Sequence, residues 1–87
     1  MMPQPMQVVL VEHDQPAPAD REEVRRRIER CLTLRNARWM RSYHTADGRR
    51  SICQFEAPDA ETVREAFRAA GHPFDRAWVA QMWWREE

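Results

Sequence analysis

Asp47-Gly48-Arg49-Arg50-Ser51-Ile52-Cys53-Gln54-Phe55-Glu56-Ala57-Pro58-Asp59 reads as a turn, a strand, a strand stop and a helix cap in one run. Asp-Gly is a preferred pair for a two-residue hairpin, because glycine tolerates the backbone angles that turn requires. Ser51 to Ala57 is short and carries Ile, Cys and Phe, as a mostly buried strand does. Pro58 has no N–H for a ladder, so the strand ends there. Asp59 offers a carboxylate to the free amides of a following helix.

Working outward, Arg38 to Thr45 supplies the strand that pairs with Ser51–Ala57. A turn pairing Ala46 with Arg49 sets Ser42 opposite Cys53, Met40 opposite Phe55, Tyr43 opposite Ile52, Arg41 opposite Gln54 and Trp39 opposite Glu56. Opposed residues share a face. Met40, Ser42, Cys53 and Phe55 then form one face, suited to lie beneath helices. Trp39, Arg41, Tyr43, Ile52, Gln54 and Glu56 form the other.

Residues 1–6 read as a loose leader and 7–87 as one domain. Val8-Val9-Leu10-Val11 is a continuous apolar run suited to a central strand covered on both faces. A helix is expected from Asp20, which with Glu23 makes a capping-box-like pair. Val24, Ile28, Cys31 and Leu32 form its apolar stripe and Asn36 is its stop. Its arginines read as a solvated face supported by Glu22–Arg26 and Glu23–Arg27 pairs. A second helix is expected from Ala60 to Ala70, closed by Gly71 and Pro73. Ala77 to Trp84 completes the set as the last strand. Strand, helix, strand, strand, helix, strand is the split βαβ pattern. The expected fold class is therefore an α+β ferredoxin-like sandwich, with antiparallel sheet order 4-1-3-2 and two helices on one face. The uncovered face carries Trp39, Tyr43, Ile52 and one side of Trp83. That is more apolar area than a small monomer leaves in water, so a homodimer through the open sheet face is expected.

Composition narrows the partners. The 87 residues balance 14 basic against 14 acidic side chains, which argues against nucleic acid. Every basic residue is arginine, as GC-rich coding also produces. No stretch approaches membrane-spanning length, and the first residues lack the pattern of a signal peptide. A cytoplasmic setting with reduced thiols is expected, with Cys31 and Cys53 as small core residues.

The topology also gathers candidate ligands. In this strand order the end of the first strand, the hairpin and the exit of the second helix fall at one end of the sheet. His13, His44 and His72 sit at those three points, with Asp14, Asp47 and Asp75 nearby. Imidazole suits nickel, zinc and copper, and carboxylates can complete such a site. Three solvated loop histidines are the plain alternative. His44 is on an edge strand about 9–10 Å across the sheet from His13, so His13 and His72 are the expected pair. Tyr43 and Glu56 are candidates for binding a small molecule. A carboxylate on an apolar face has its ionised form disfavoured, though an ion pair with Arg41 is equally natural.

Trp39-Met40-Arg41-Ser42-Tyr43, Cys53 through Glu61 and Val63-Arg64-Glu65 together resemble a small bacterial family of unknown-function domains. Val11-Glu12 and Ala70-Gly71 also fit that resemblance, which runs from about Val8 to Trp78. The family's characterised type is a nickel-binding protein with a dimeric ferredoxin-like fold. The resemblance implies dimerisation and binding of nickel or another divalent metal, for sequestration or sensing rather than turnover. By fold analogy alone, the alternatives are a small-molecule enzyme of the dimeric α/β-barrel type, a monooxygenase or isomerase using Tyr43, His44 and Glu56, or a non-catalytic binding module.

Overall fold

Six elements follow one another in the computed structural model, which describes residues 5–83 and 85. They are β1 (Gln7–His13), α1 (Arg21–Thr33), β2 (Arg38–His44), β3 (Ser51–Ala57), α2 (Ala60–Ala69) and β4 (Arg76–Ala80). The sheet runs β2-β3-β1-β4, with every neighbouring pair antiparallel. Read from its other edge this is the expected 4-1-3-2 order, and the fold is the ferredoxin-like sandwich. None of the helices described is long and apolar enough to cross a membrane.

Alternation along the strands decides which side the helices cover. Val9 and Val11 on β1 and Phe55 on β3 are fully buried together with Ile28 and Leu32 of α1 and Val63 and Phe67 of α2. Phe67 is the hub of this layer. Its ring meets Phe55 and Phe74 edge-on at 5.6 and 5.8 Å, a favoured arrangement of aromatic quadrupoles. Cys53 is buried in the same layer, and Cys31 packs against its margin.

The hairpin departs from its expected form in two places. The chain bends over Thr45 to Gly48, where the Gly48 amide donates to the Thr45 carbonyl at 2.8 Å, rather than in a two-residue Asp-Gly turn. Gly48 takes the left-handed conformation that glycine permits (φ 73°). Asp47 holds the bend by accepting from the Thr45 hydroxyl and the Arg49 amide. The register from His44–Ser51 to Arg41–Gln54 is as expected, but then a bulge intervenes and Trp39 lies opposite Phe55, with Arg38 opposite Glu56. The extra residue is Met40, which is 36% exposed. The bulge turns Trp39 beneath the helices, where its ring lies 5.3 Å from Phe55 and its Nε1–H donates to Ser42 Oγ at 2.9 Å. Trp39 and Met40 therefore exchange the faces expected of them.

The remaining differences are also local. β4 stops at Ala80 because its last partner is Val8, near the start of β1. Trp83 lies beyond it, and Trp84 falls outside the described residues. β1 is covered by helices on one face only, and Val8 and Leu10 on its other face are half-buried in the single chain. Asp20 stands at the α1 N-cap but makes no side-chain cap bond. Its backbone (φ −97°, ψ 37°) lacks the extended conformation a capping carboxylate needs. Glu22 pairs with Arg25 one turn on, rather than with Arg26. Asn36, at φ 57°, ends the α1 region as expected, with Ala37 N–H donating back to the Leu32 carbonyl.

Asp59 caps α2 in the expected way, accepting from Thr62 N–H at 2.7 Å. Removing a cap of this kind costs about 1 kcal/mol. Asp59→Ala is expected to lower the unfolding free energy measured in urea by that amount, with the thermal transition still cooperative.

Candidate functional site: a histidine pair in a rim cavity

Two chain ends bring the histidines together. His13 is the last residue of β1 and shares the helix-facing parity of Val9 and Val11. His72 follows α2 because Gly71 takes φ 71° and the His72 amide donates back to the Phe67 carbonyl at 3.0 Å. The result places the two imidazoles 5.3 Å apart, centroid to centroid, at a tilt of 39°. Phe67 supports both rings, at 5.5 Å from His13 and 6.1 Å from His72.

His13 Nε2 is buried and makes no hydrogen bond. The ring's other nitrogen is turned to the Pro73 carbonyl. A backbone partner of this kind fixes the tautomer and orients an imidazole whose free nitrogen can ligate. Burial lowers the pKa of His13, and the neighbouring His72 lowers it further. Burial also lowers that of His72, with the Arg27 guanidinium adding to the effect. Asp75 and Asp14 act on His13 in the opposite sense without reversing it.

Those shifts set a pH dependence with a definite sign. Below an ordinary imidazole value of about 6.5, the unfolded chain binds protons that the folded rings resist, so stability falls as pH drops. The contribution of the two histidines is complete above that value and is lost as pH passes down through their lowered folded values. A urea midpoint falling between pH 7 and pH 5 is expected, and His13→Phe, which keeps a ring but cannot titrate, should flatten the fall.

All three histidines line one cavity of about 480 Å³ between α1, the sheet and the α2–β4 connection. His44 reaches it from the edge strand β2, in the same cross-strand row as His13 with Ser51 of β3 between them. Asp75 also lines it, its Oδ2 accepting from the Asp14 amide at 2.6 Å. Asp47 is committed to the hairpin bend. Among the described residues, no group of three or more His, Cys, Asp or Glu side chains could hold a metal ion.

Tyr43 and Glu56 lie elsewhere. Both are on the open face of the sheet. Glu56 pairs with Arg38 at 3.0 Å, its opposite residue after the bulge, rather than with Arg41. Tyr43 is 59% exposed and lines a shallow cleft of about 220 Å³ with Glu12 and Ile52.

Two polar clusters, one in the cavity and one on the open face, lay beyond sequence reasoning. One is the chain from Trp39 Nε1 to Ser42 Oγ to Cys53 Sγ, 2.9 and 3.1 Å, which depends on the bulge. Its thiol is inert, since burial pushes the Cys53 pKa up. The other is Glu12, which accepts from Trp78 Nε1 at 2.8 Å and pairs with Arg76, while Arg76 also reaches Asp14. Those hydrogen bonds lower the Glu12 pKa. The cross-strand placement of Glu12 beside Arg76 was the only available signal.

The sandwich with a histidine pair at its rim defines a class of small α+β domains with candidate metal donors at one end of the sheet. The chain belongs to the SCO4226-like family, described as nickel responsive protein SCO4226-like, whose model matches residues 10–79. Its fold is that seen in the crystal structure of SCO4226 from Streptomyces coelicolor A3(2). The likeness has a TM-score of 0.71 at 17% sequence identity, over 86% of this chain and 96% of that one. No curated protein matches the chain.

The donors present fit nickel in kind. Imidazole nitrogen is among the ligands nickel(II) accepts, and His13 Nε2 has no competing partner. In number they do not close a site within one chain, so further donors must come from water, another copy or a bound molecule.

Proposed function

We propose that this protein is a small nickel-binding protein that works as a homodimer and captures or senses the ion rather than turning over a substrate. The observation that carries this reading is the buried, unbonded Nε2 of His13 beside the His72 ring. His13 and His72 would hold the ion, and His44, two strands away in the same cavity, would not reach it within the same chain. The metal would supply a point of strong, reversible coordination. The protein supplies oriented imidazoles, both kept toward the neutral form by burial, with His72 adding to the effect on His13 and Arg27 to that on His72. Membership of a family described as nickel responsive supports the choice of metal.

Homodimerisation is supported by apolar groups on the open face, where half-buried Leu10 lies beside Trp78, 42% exposed, and Ile52, two residues along β3 from Leu10's other neighbour Gln54, is 37% exposed. The pocket-enzyme alternative has less support, because Glu56 is ion-paired on the open face and does not line the histidine cavity. Calorimetric titration of tag-free protein with nickel tests the proposal. Binding below millimolar concentration is expected, weakened at least about ten-fold in the His13→Ala/His72→Ala double variant. Equal affinity of the two proteins would remove the histidine pair from the account.

A further inference from the structure

We propose that the cavity between α1 and the sheet binds a small uncharged aromatic molecule carrying one hydrogen-bond donor, a phenol or naphthol in chemical class. Size is the first argument. About 480 Å³ is within the roughly 300–1,000 Å³ typical of small-molecule pockets, and far more than a single ion fills. The lining is the second. Val24 and Ile28 of α1, Trp39 of β2, and Phe67 and Phe74 give the cavity apolar and aromatic walls, which suit a flat ring.

The polar groups decide what the ring must carry. Trp39 Nε1–H is taken by Ser42, and the Ser42 hydroxyl donates to Cys53 Sγ. Charges around the cavity balance. Arg21 and Arg25 face Glu22 and Asp75, with Arg25 bound to Glu22 at 2.9 Å and Asp75 engaged by the Asp14 amide. That balance gives no preference for a charged organic guest. The unmet demand is His13 Nε2, an acceptor because the ring's other nitrogen faces Pro73. A buried acceptor without a partner carries a desolvation penalty that a hydrogen bond removes. Nε2 is buried with the His72 ring 5.3 Å away, centroid to centroid, so local side-chain movement is required to bring an O–H or N–H of the guest to it.

This inference goes beyond nickel binding and does not depend on it. The guest and the ion claim the same nitrogen, so the test uses metal-free protein. Amide and indole chemical shifts are followed in a titration with 2-naphthol, and separately with 2-methoxynaphthalene, which has the ring but no donor. Shifts confined to Val24–Ile28, Trp39 and His72–Phe74 are expected, with 2-naphthol binding at least about five-fold tighter than the ether, as a hydrogen bond to a buried acceptor implies. His13→Phe should make the two ligands equal, and Val24→Phe, which fills the cavity, should weaken both. Absence of these shifts up to millimolar 2-naphthol, equal binding of the two ligands to the unaltered protein, or an unchanged preference in His13→Phe would overturn the proposal.

Discussion

Phe67→Ala should remove a large share of the stability of this fold. Phe67 is fully buried, and its ring touches Phe55, Phe74, His13 and His72. Truncating a buried phenylalanine to alanine costs about 3–5 kcal/mol, since both transfer energy and a cavity are involved. A folded chain of 87 residues has a total stability of about 4–13 kcal/mol. The loss is therefore a large share of what holds this fold. Urea unfolding followed by circular dichroism measures it, and a loss below about 1.5 kcal/mol would mean that Phe67 is not the hub described. The same substitution removes the support beneath both imidazoles, so any fraction that remains folded should bind nickel more weakly than the unaltered protein.

Leu10→Arg should convert the proposed dimer to a monomer without disturbing the fold. Leu10 lies at the centre of the open face, opposite Gln54 on β3 and Trp78 on β4. Its side chain points away from the helix layer, so the substitution leaves the core intact. In the proposed sheet-to-sheet contact, an arginine between Gln54 and Trp78 would have to give up its hydration without a charged partner directly beside it. Sedimentation velocity at micromolar concentration should show a dimer for the unaltered chain and a monomer for the variant, with matching far-ultraviolet spectra. A monomeric unaltered chain would leave the open face without the proposed occupant.

The topology was legible because independent signals agreed. Pro58 and Asp59 end β3 and cap α2, Asn36 and Gly71 take left-handed conformations at the helix ends, and the β-branched run of β1 became a central strand. Each of these is a local constraint that one or two residues impose. The bulge at Met40 was not legible, because alternation alone assigns Trp39 and Met40 either face. The outcome turned on Ser42 and Phe55 offering the indole a better environment beneath the helices than on the open face. The length of β4 was misread for a similar reason. An apolar run past Ala80 looks like strand, but a strand ends where its partner does.

The site was legible in part. Topology alone brought His13, His44 and His72 to one cavity. The close approach of His13 and His72 required the Gly71 turn and the Phe67 platform, and only the first has a sequence signal. The cavity itself was not legible, since empty volume depends on how far α1 stands from β2 and no residue type encodes that distance. Glu56 was expected near Trp39 and Arg41, and the one-residue shift gave it Arg38 instead.

The central claim is that the histidine pair holds the metal. Nickel(II) in a mixed nitrogen and oxygen environment is commonly paramagnetic and broadens nuclear resonances close to it. Substoichiometric nickel added to isotopically labelled, tag-free protein therefore locates the ion directly. If the histidine pair holds the metal, the ring signals of His13 and His72 disappear first, followed by those of Phe67, while the Asp47 turn and the Glu56–Arg38 pair are unaffected. Broadening centred on Glu12, Asp14 and Arg76, or spread evenly over the surface, would contradict that claim.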